Sequence, residues 1–327
     1  MAHPSLCRNN IMTARGTYLV AFDSGPAPLD ALLDLAAYLS EIKLAGFEVI
    51  ILDRSPAAVI EEHRRVLRWV GRYLVPGPNH RTDSIRAALD IVSCERVIVA
   101  DSRSRFGPEA LDRLCALLET HEVVEPEPYV APLPWWGGID AARNLMQRGL
   151  GGVSGPAAAV GLRRSAVRGL HGLDVLLAGE GSRSLAAQGA EVHSASGVFV
   201  RRVPELLRAW FRDRPLHAAG DFDAPHRAAF HCALLPLFAL LVLIGGVHLA
   251  AFSAAAVAFA AVALAVRGWI GAFRYVPLHA CFLAPVALIE RSISLYWALL
   301  RRFSGIDDPR RVPVLERSRN ERAASGR

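Results

Sequence analysis

The chain has 327 residues, enough for one sizeable α/β domain plus a membrane region, or for two small domains. Its formal net charge is +6, but Lys43 is the only lysine, so nearly all the positive charge is arginine in an Ala- and Gly-rich chain. No RNA- or DNA-binding motif accompanies that charge, which is read as composition and not as a nucleic-acid surface.

Met1 to Gly16 is polar and has no apolar core of the kind a cleaved signal peptide needs, so the soluble part is expected in the cytoplasm. Thr17–Phe22 reads as a short buried strand ending at Asp23-Ser24-Gly25-Pro26. Apolar residues at helical spacing give a helix over Leu29–Leu44. Phe47–Leu52 is a second buried strand running into Asp53, and helix Ala57–Val70 and strand Arg72–Val75 follow. The spacing then predicts a helix over Thr82–Val92, a strand over Arg96–Ala100 running into Asp101, and a helix over Glu109–Thr120. Strands alternating with helices imply a mostly parallel α/β sheet covered on both faces. Ligands of such sheets bind beyond the carboxyl ends of the strands, where Asp53 and Asp101 lie.

The Pro- and Glu-rich stretch Glu122–Pro134 is expected to be irregular, followed by a helix over Asp140–Leu150 and the loop Gly151 to Pro156. Ala157–Leu162 reads as a strand and Arg164–Leu170 as a short helix. Glu180–Gln188 reads as a helix capped by Gly189, and Glu191–Val203 as a strand. His193 in that strand is taken as structural. Trp135-Trp136 fit a sugar or lipid pocket and a core equally. The five cysteines (Cys7, Cys94, Cys115, Cys232, Cys281) are scattered without metal-ligand spacing and read as structural thiols in a reducing compartment.

From Ala228 to Val266 there is no Asp, Glu, Lys or Arg. A helix over that run would be roughly 58 Å long, about twice the hydrocarbon thickness of a bilayer, so two spans turning near Gly245, Gly246 and Ser253 are expected. A third apolar stretch, Tyr275–Leu300, carries Glu290-Arg291. Charges at depth are expensive, which favours an interfacial or re-entrant helix there. Arg301–Arg327 holds eight arginines against two Asp and two Glu, and two spans would keep this basic tail on the side of the soluble domain. The expected organisation is a tail over 1–16, an α/β domain over 17–226, two spans over 227–272, the third apolar helix over 273–302 and a disordered basic tail over 303–327.

Arg96 to Leu114 (RVIVADSRSRFGPEALDRL) sets an apolar strand, Asp-Ser, a turn with Pro108 and an amphipathic helix in series. It resembles the D-x-D strand of GT-A family 2 glycosyltransferases. The nearest likeness is to the membrane branch with the ceramide glucosyltransferases and hopanoid-associated enzymes. That resemblance implies a GT-A-like nucleotide-diphospho-sugar transferase fold. It also implies a nucleotide-sugar donor, a lipid or lipid-linked acceptor, and a multi-pass protein of a bacterial-type inner membrane. In the family two aspartates hold a divalent Mg or Mn that neutralises the departing diphosphate. Asp101 matches the first, and Arg103 stands where the second should be. Asp53 matches the aspartate that contacts the nucleotide base. Gly155–Val167 resembles the acceptor-side segment. Glu180 is the local candidate for the general base, which must be an ionised carboxylate to take the acceptor's proton. Phe211–Pro215 (FRDRP) resembles the family's arginine segment before the spans, so Arg212 and Arg214 are candidates for the diphosphate or acceptor.

Two functions fit these residues. One is an inverting transferase in which Arg103 or Arg105 replaces part of the metal's charge. The other is a catalytically inactive relative that binds a nucleotide or a partner at the membrane.

Overall fold

A computed structural model describes residues 14–22, 27–76, 84–151, 159–167, 173, 185–186, 188–223 and 225–304. They form two units. Met1–Pro132 and Val153–Val203 make the first, Leu133–Gly152 and Pro204–Arg327 the second.

The first unit is an eight-stranded sheet. Its strands are β1 (Gly16–Phe22), β2 (Phe47–Asp53), β3 (Arg72–Leu74), β4 (Arg96–Asp101), β5 (Ser104–Arg105), β6 (Val123–Val130), β7 (Ala159–Arg163) and β8 (Val192–Arg202). They run in the order β3-β2-β1-β4-β7-β6-β8-β5. The first four are mutually parallel, β7 is antiparallel to both neighbours, and β6 pairs with β8 in parallel. The helices α1 (Leu29–Leu44), α2 (Ala57–Leu67), α3 (Ser84–Ile91) and α4 (Pro108–Leu117) connect them. Successive side chains of a strand face opposite ways, and the sequence supplies apolar residues to both faces. Tyr18, Val20, Phe22, Val49, Ile51, Ile98 and Ala100 pack with Leu32, Leu35 and Leu39 of α1 and Leu111 and Leu114 of α4. Leu19, Ile50, Leu52, Val97 and Val99 pack on the other side with Ile85 and Leu89 of α3. This is the fold class read from the sequence, a mostly parallel α/β sheet with flanking helices.

The stretch expected to be irregular is instead strand β6. Pro126 and Pro128 lack the N–H that a ladder needs, so prolines belong on strand edges. β7 pairs only with Val123 and Val124, which leaves the rest of β6 partnered on one side by β8, with a register shift between Pro126 and Glu127. Arg164–Val167, expected to begin a short helix, is a turn. Gly189 takes a positive φ (+95°), and most of the helix expected over Glu180–Gln188 lies outside the described residues.

The second unit is helical: α5 (Trp135–Gly149), α6 (Leu207–Ala219), α7 (Pro225–Trp269) and α8 (Ala284–Phe303). α5 starts five residues before the expected Asp140. Gly246 breaks α7 with φ 70° and ψ 178°, a conformation that side chains with a Cβ avoid, and it falls in the segment where the turn was expected. α5 and α7 approach closely at two glycines. A Cβ on Gly149 would lie 2.2 Å from the Leu264 carbonyl oxygen, and one on Gly268 would lie 2.0 Å from that of Leu145. α7 and the segment Leu278–Phe303 are long and apolar enough to cross a membrane by length and composition.

Candidate functional site

In the first unit, the carboxyl ends of β2 and β4 flank the end of β1, with Phe22 opposite Asp53 and Ala21 opposite Asp101. The two aspartates therefore share one sheet edge, as their positions after apolar strands dictate. Their environments differ.

Asp53 is 0% exposed. Its Oδ1 accepts the Ser55 amide at 2.9 Å, and its Oδ2 receives His63 Nδ1 at 2.9 Å and the Tyr73 hydroxyl. Burial by itself would raise the Asp53 pKa, but the hydrogen bonds from Ser55, Tyr73 and His63 outweigh it and hold the carboxyl below the usual range. Burial and the adjacent Asp53 push the Tyr73 phenol up, so Tyr73 stays a donor. His63 and Tyr73 were not singled out in the sequence. A histidine on the inner face of an amphipathic α2 was the available signal.

Asp101 is partly open, and arginines surround it. Arg202 of β8 donates through Nε at 3.2 Å and Nη2 at 2.9 Å to Oδ2. Oδ1 accepts the Ser104 hydroxyl at 2.5 Å and the Arg103 amide at 3.2 Å. The Arg103 guanidinium stands 3.9 Å from Oδ2. Burial acts to raise the Asp101 pKa, while Arg202, Arg103 and the Ser104 hydroxyl together hold it lowered. Arg202 was missed because its partner is 101 residues away, although a tandem Arg201-Arg202 at a strand end was visible. Arg105 is placed differently. It is buried, bonds Asp34 at 2.9 Å and the Ser102 carbonyl at 2.8 Å, and lies over the Tyr38 ring.

Asp101 does not suit a divalent ion here. Both of its oxygens already accept hydrogen bonds, its charged neighbours among the described residues are Arg103 and Arg202, and no group of three or more His, Cys, Asp or Glu that could hold a metal occurs among those residues. Glu180, the candidate base, lies outside the described residues. His193 stacks on His121, with ring centroids 4.0 Å apart and planes 7° apart.

The second unit holds the other two candidates, and it separates them. Arg212 is exposed and pairs with its neighbour Asp213 at 2.8 Å. Arg214 is 4% exposed. It grips Asp140 of α5 through two 2.6 Å bonds, with its guanidinium 4.0 Å from the Trp210 ring centroid. Asp140 also accepts Trp210 Nε1 and Arg143 Nη2, both at 2.7 Å. Glu290 of α8 approaches Arg143 at 3.9 Å and Arg214 at 3.8 Å. Beside it Arg291 bonds Asp221 at 2.6 Å and the His217 carbonyl at 2.7 Å. Burial would raise the Asp140 pKa, but Arg143, Arg214 and Trp210 hold it down, to about 2. The sequence signal for this network was the charge pair Glu290-Arg291 inside an apolar run. Of the tryptophan pair, Trp135 is exposed and Trp136 donates to the Glu205 carbonyl at 3.2 Å.

No protein-family model and no curated protein matches the chain. Among solved structures it is similar to a mannosyltransferase from Pyrobaculum calidifontis in complex with GDP-Man and Mn2+. That match has 18% identity and a TM-score of 0.47 and covers 86% of this chain and 87% of that one. A second is glucosyl-3-phosphoglycerate synthase from Mycobacterium tuberculosis in complex with Mn2+, UDP and phosphoglyceric acid, at 15% identity and TM-score 0.39, covering 63% and 77%. A third is CMP:2-keto-3-deoxy-manno-octonic acid synthetase complexed with CTP, at 13% identity and TM-score 0.39, covering 64% and 99%. These neighbours are GT-A-like. No site residue, substrate or activity is assigned from these similarities.

Proposed function

We propose that this protein is a membrane-attached, inverting sugar transferase. It binds a nucleotide-sugar donor at the carboxyl edge of the first unit's sheet and delivers the sugar to a lipid or lipid-linked acceptor. The observation that carries the reading is the inverted polarity of the C-terminal helices. On α8 the exposed positions are Val286, Ile289, Ile293, Trp297, Leu300 and Phe303, with Arg302 in the last turn, while Arg291, Ser292 and Ser294 are buried. On α7 Leu243, Ile244, Val247, Phe252 and Phe259 are exposed, while Ala250, Ala261, Ala265 and Gly268 are inside. Each such large side chain left in water forgoes about 1.5–3 kcal/mol of burial, which acyl chains would restore. Small residues at helix contacts and paired charges inside are what a bilayer solvent favours.

The donor half of the reading rests on Asp101, Arg103 and Arg202 beyond the ends of parallel strands, where ligands of such sheets bind. Asp53 shapes the base-binding side by holding His63 and Tyr73. Glu180 takes the acceptor hydroxyl proton as that oxygen attacks the anomeric carbon. The bond from that carbon to the diphosphate breaks, and its electron pair leaves with the nucleoside diphosphate. Arg212, whose guanidinium is in solvent, is assigned an anionic group of donor or acceptor. Arg214 holds α5 to α6.

One observation favours a second reading, a binding module without turnover: the Asp101 carboxylate is already filled by Arg202 and Ser104. Donor hydrolysis and transfer, measured in membranes for wild type, Asp101→Ala and Glu180→Gln, separates the two. Turnover in wild type with loss in both variants supports the transferase. Nucleotide binding without turnover supports the module, and equal activity in all three removes both residues from the mechanism.

A further inference from the structure

Arg105 sits on a strand of two residues, yet its side chain is only 7% exposed, and a buried guanidinium is costly unless it is paired. Nη2 donates to Asp34 Oδ2 of α1 at 2.9 Å. Nη1 donates to the carbonyls of Ser102, at 2.8 Å, and Ser104, at 3.1 Å. Those carbonyls bracket Arg103 in the turn that follows Asp101. The guanidinium carbon stands 5.0 Å from the centroid of the Tyr38 ring.

The next residue is held by the same helix. The Phe106 amide donates to the Tyr38 hydroxyl at 2.8 Å, and that hydroxyl donates to the Tyr18 hydroxyl of β1 at 3.2 Å. Burial pushes the Tyr38 phenol up, which keeps its proton in place for the second bond. Asp34 and Tyr38 are four residues apart and so lie on one face of α1. One helical turn thereby grips Arg105 by its side chain and Phe106 by its backbone.

This grip reaches Asp101 through the turn. Asp101 Oδ1 accepts the Arg103 amide at 3.2 Å and the Ser104 hydroxyl at 2.5 Å, so the carboxylate takes its orientation from the backbone that Arg105 fixes. Ser104 also pairs with Arg202, which bonds Asp101 Oδ2. A planar fork can reach two carbonyls and a carboxylate at once, where an ammonium is a single point. Buried and committed to these acceptors, Arg105 is not placed to touch a ligand itself.

We propose that Arg105 is a positioning residue: held by Asp34 and Tyr38, it fixes the turn from Ser102 to Ser104 and so sets Asp101 for the donor nucleotide. This rests on the donor-binding reading above. A site ordered before its ligand arrives spares binding the cost of ordering it, so a loosened turn lowers affinity while the sheet stays folded.

The test uses the full chain in detergent micelles, with UDP and GDP as probes, in excess Mn2+ and in EDTA. Calorimetric titration reads affinity, and thermal unfolding reads the fold. Arg105→Lys keeps a cation beside Asp34 but loses the fork, and is expected to weaken nucleotide binding about tenfold. Asp34→Asn changes a carboxylate that is 59% exposed, so its fold is secure, and it should weaken binding about threefold. Any loss of fold in Arg105→Lys leaves Asp34→Asn to decide. In an Asp101→Asn background neither substitution should weaken binding further, because the three residues act as one unit. A purely structural Arg105 would lower the melting temperature and leave affinity unchanged. Folded variants that bind like wild type overturn the proposal, as does a loss that adds in full to that of Asp101→Asn. Binding of neither nucleotide by wild type overturns the donor reading and the proposal with it, which distinguishes the two failures.

Discussion

Asp140→Asn is the sharpest probe of the second unit, because Asp140 is the shared acceptor of Arg143, Trp210 and Arg214. The substitution keeps size and shape but removes the charge that balances two buried guanidiniums. Two routes give the magnitude. A carboxyl held at about 2 instead of the ordinary 3.8 contributes on the order of 2 kcal/mol at neutral pH. Removing one member of a buried ion pair costs about 3–5 kcal/mol. A loss of about 2–5 kcal/mol, at about 2–4 °C per kcal/mol for a unit of this size, lowers the melting temperature by about 5–15 °C. Thermal unfolding in detergent measures it. Because the folded pKa is depressed, the contribution is full above the ordinary carboxylate pKa and is lost as pH falls from about 4 through about 2. Wild type should therefore converge on Asp140→Asn over that window. The double substitution Asp140→Leu with Arg214→Met should recover only the part of the loss due to Arg214, because Arg143 and Trp210 still lose their shared acceptor. A drop below about 2 °C for Asp140→Asn, or a difference that persists at pH 2, would refute the reasoning.

Two further outcomes test the packing. Gly268→Ala puts a methyl 2.0 Å from the Leu145 carbonyl, a backbone atom that cannot swing aside, so α5 and α7 must separate. A loss of about 1–3 kcal/mol or more is expected in the same melting assay, and an unchanged melt would show that the helices yield freely. Ile293→Asp changes an exposed residue of α8, which in water would alter stability by about 0.5 kcal/mol or less. In a bilayer it costs about 2.5–3.5 kcal/mol at depth, so alkaline extraction should release the variant and retain wild type. Equal retention would remove that face of α8 from the acyl chains.

Much of the first unit was legible because its signals are local. The runs at Thr17, Phe47 and Arg96 are continuously apolar, as strands buried on both faces must be, and Leu29–Leu44 emerged with the expected bounds. β6 was hidden by its prolines, which are tolerated only because β7 stops at Val124, a fact of sheet order and not of local sequence. α6 was missed for a related reason. Its charged stretch Arg212–Arg214 reads as surface, yet Arg214 is buried by an aspartate 74 residues earlier. The same limit applies to the candidate site. Asp101 stood out at a strand end, but the arginine that engages it comes from the far end of the unit's sequence. A residue's position in an element is a local property, and its counter-charge is not.

The network around Asp140 also bears on how the chain is made. Its members enter in a fixed order: Asp140 and Arg143 first, Arg214 and Asp221 about 70 residues later, and Glu290 and Arg291 near the end. The earlier groups already sum to zero charge, but Asp221 lacks Arg291, and Arg143 and Arg214 lack Glu290, until α8 arrives. α8 in turn brings its own acid and base adjacent to each other, so it adds no net charge when it docks. Closure of the second unit is thus a late event of synthesis. A chain truncated before Ala284 would leave Arg143 and Arg214 without Glu290.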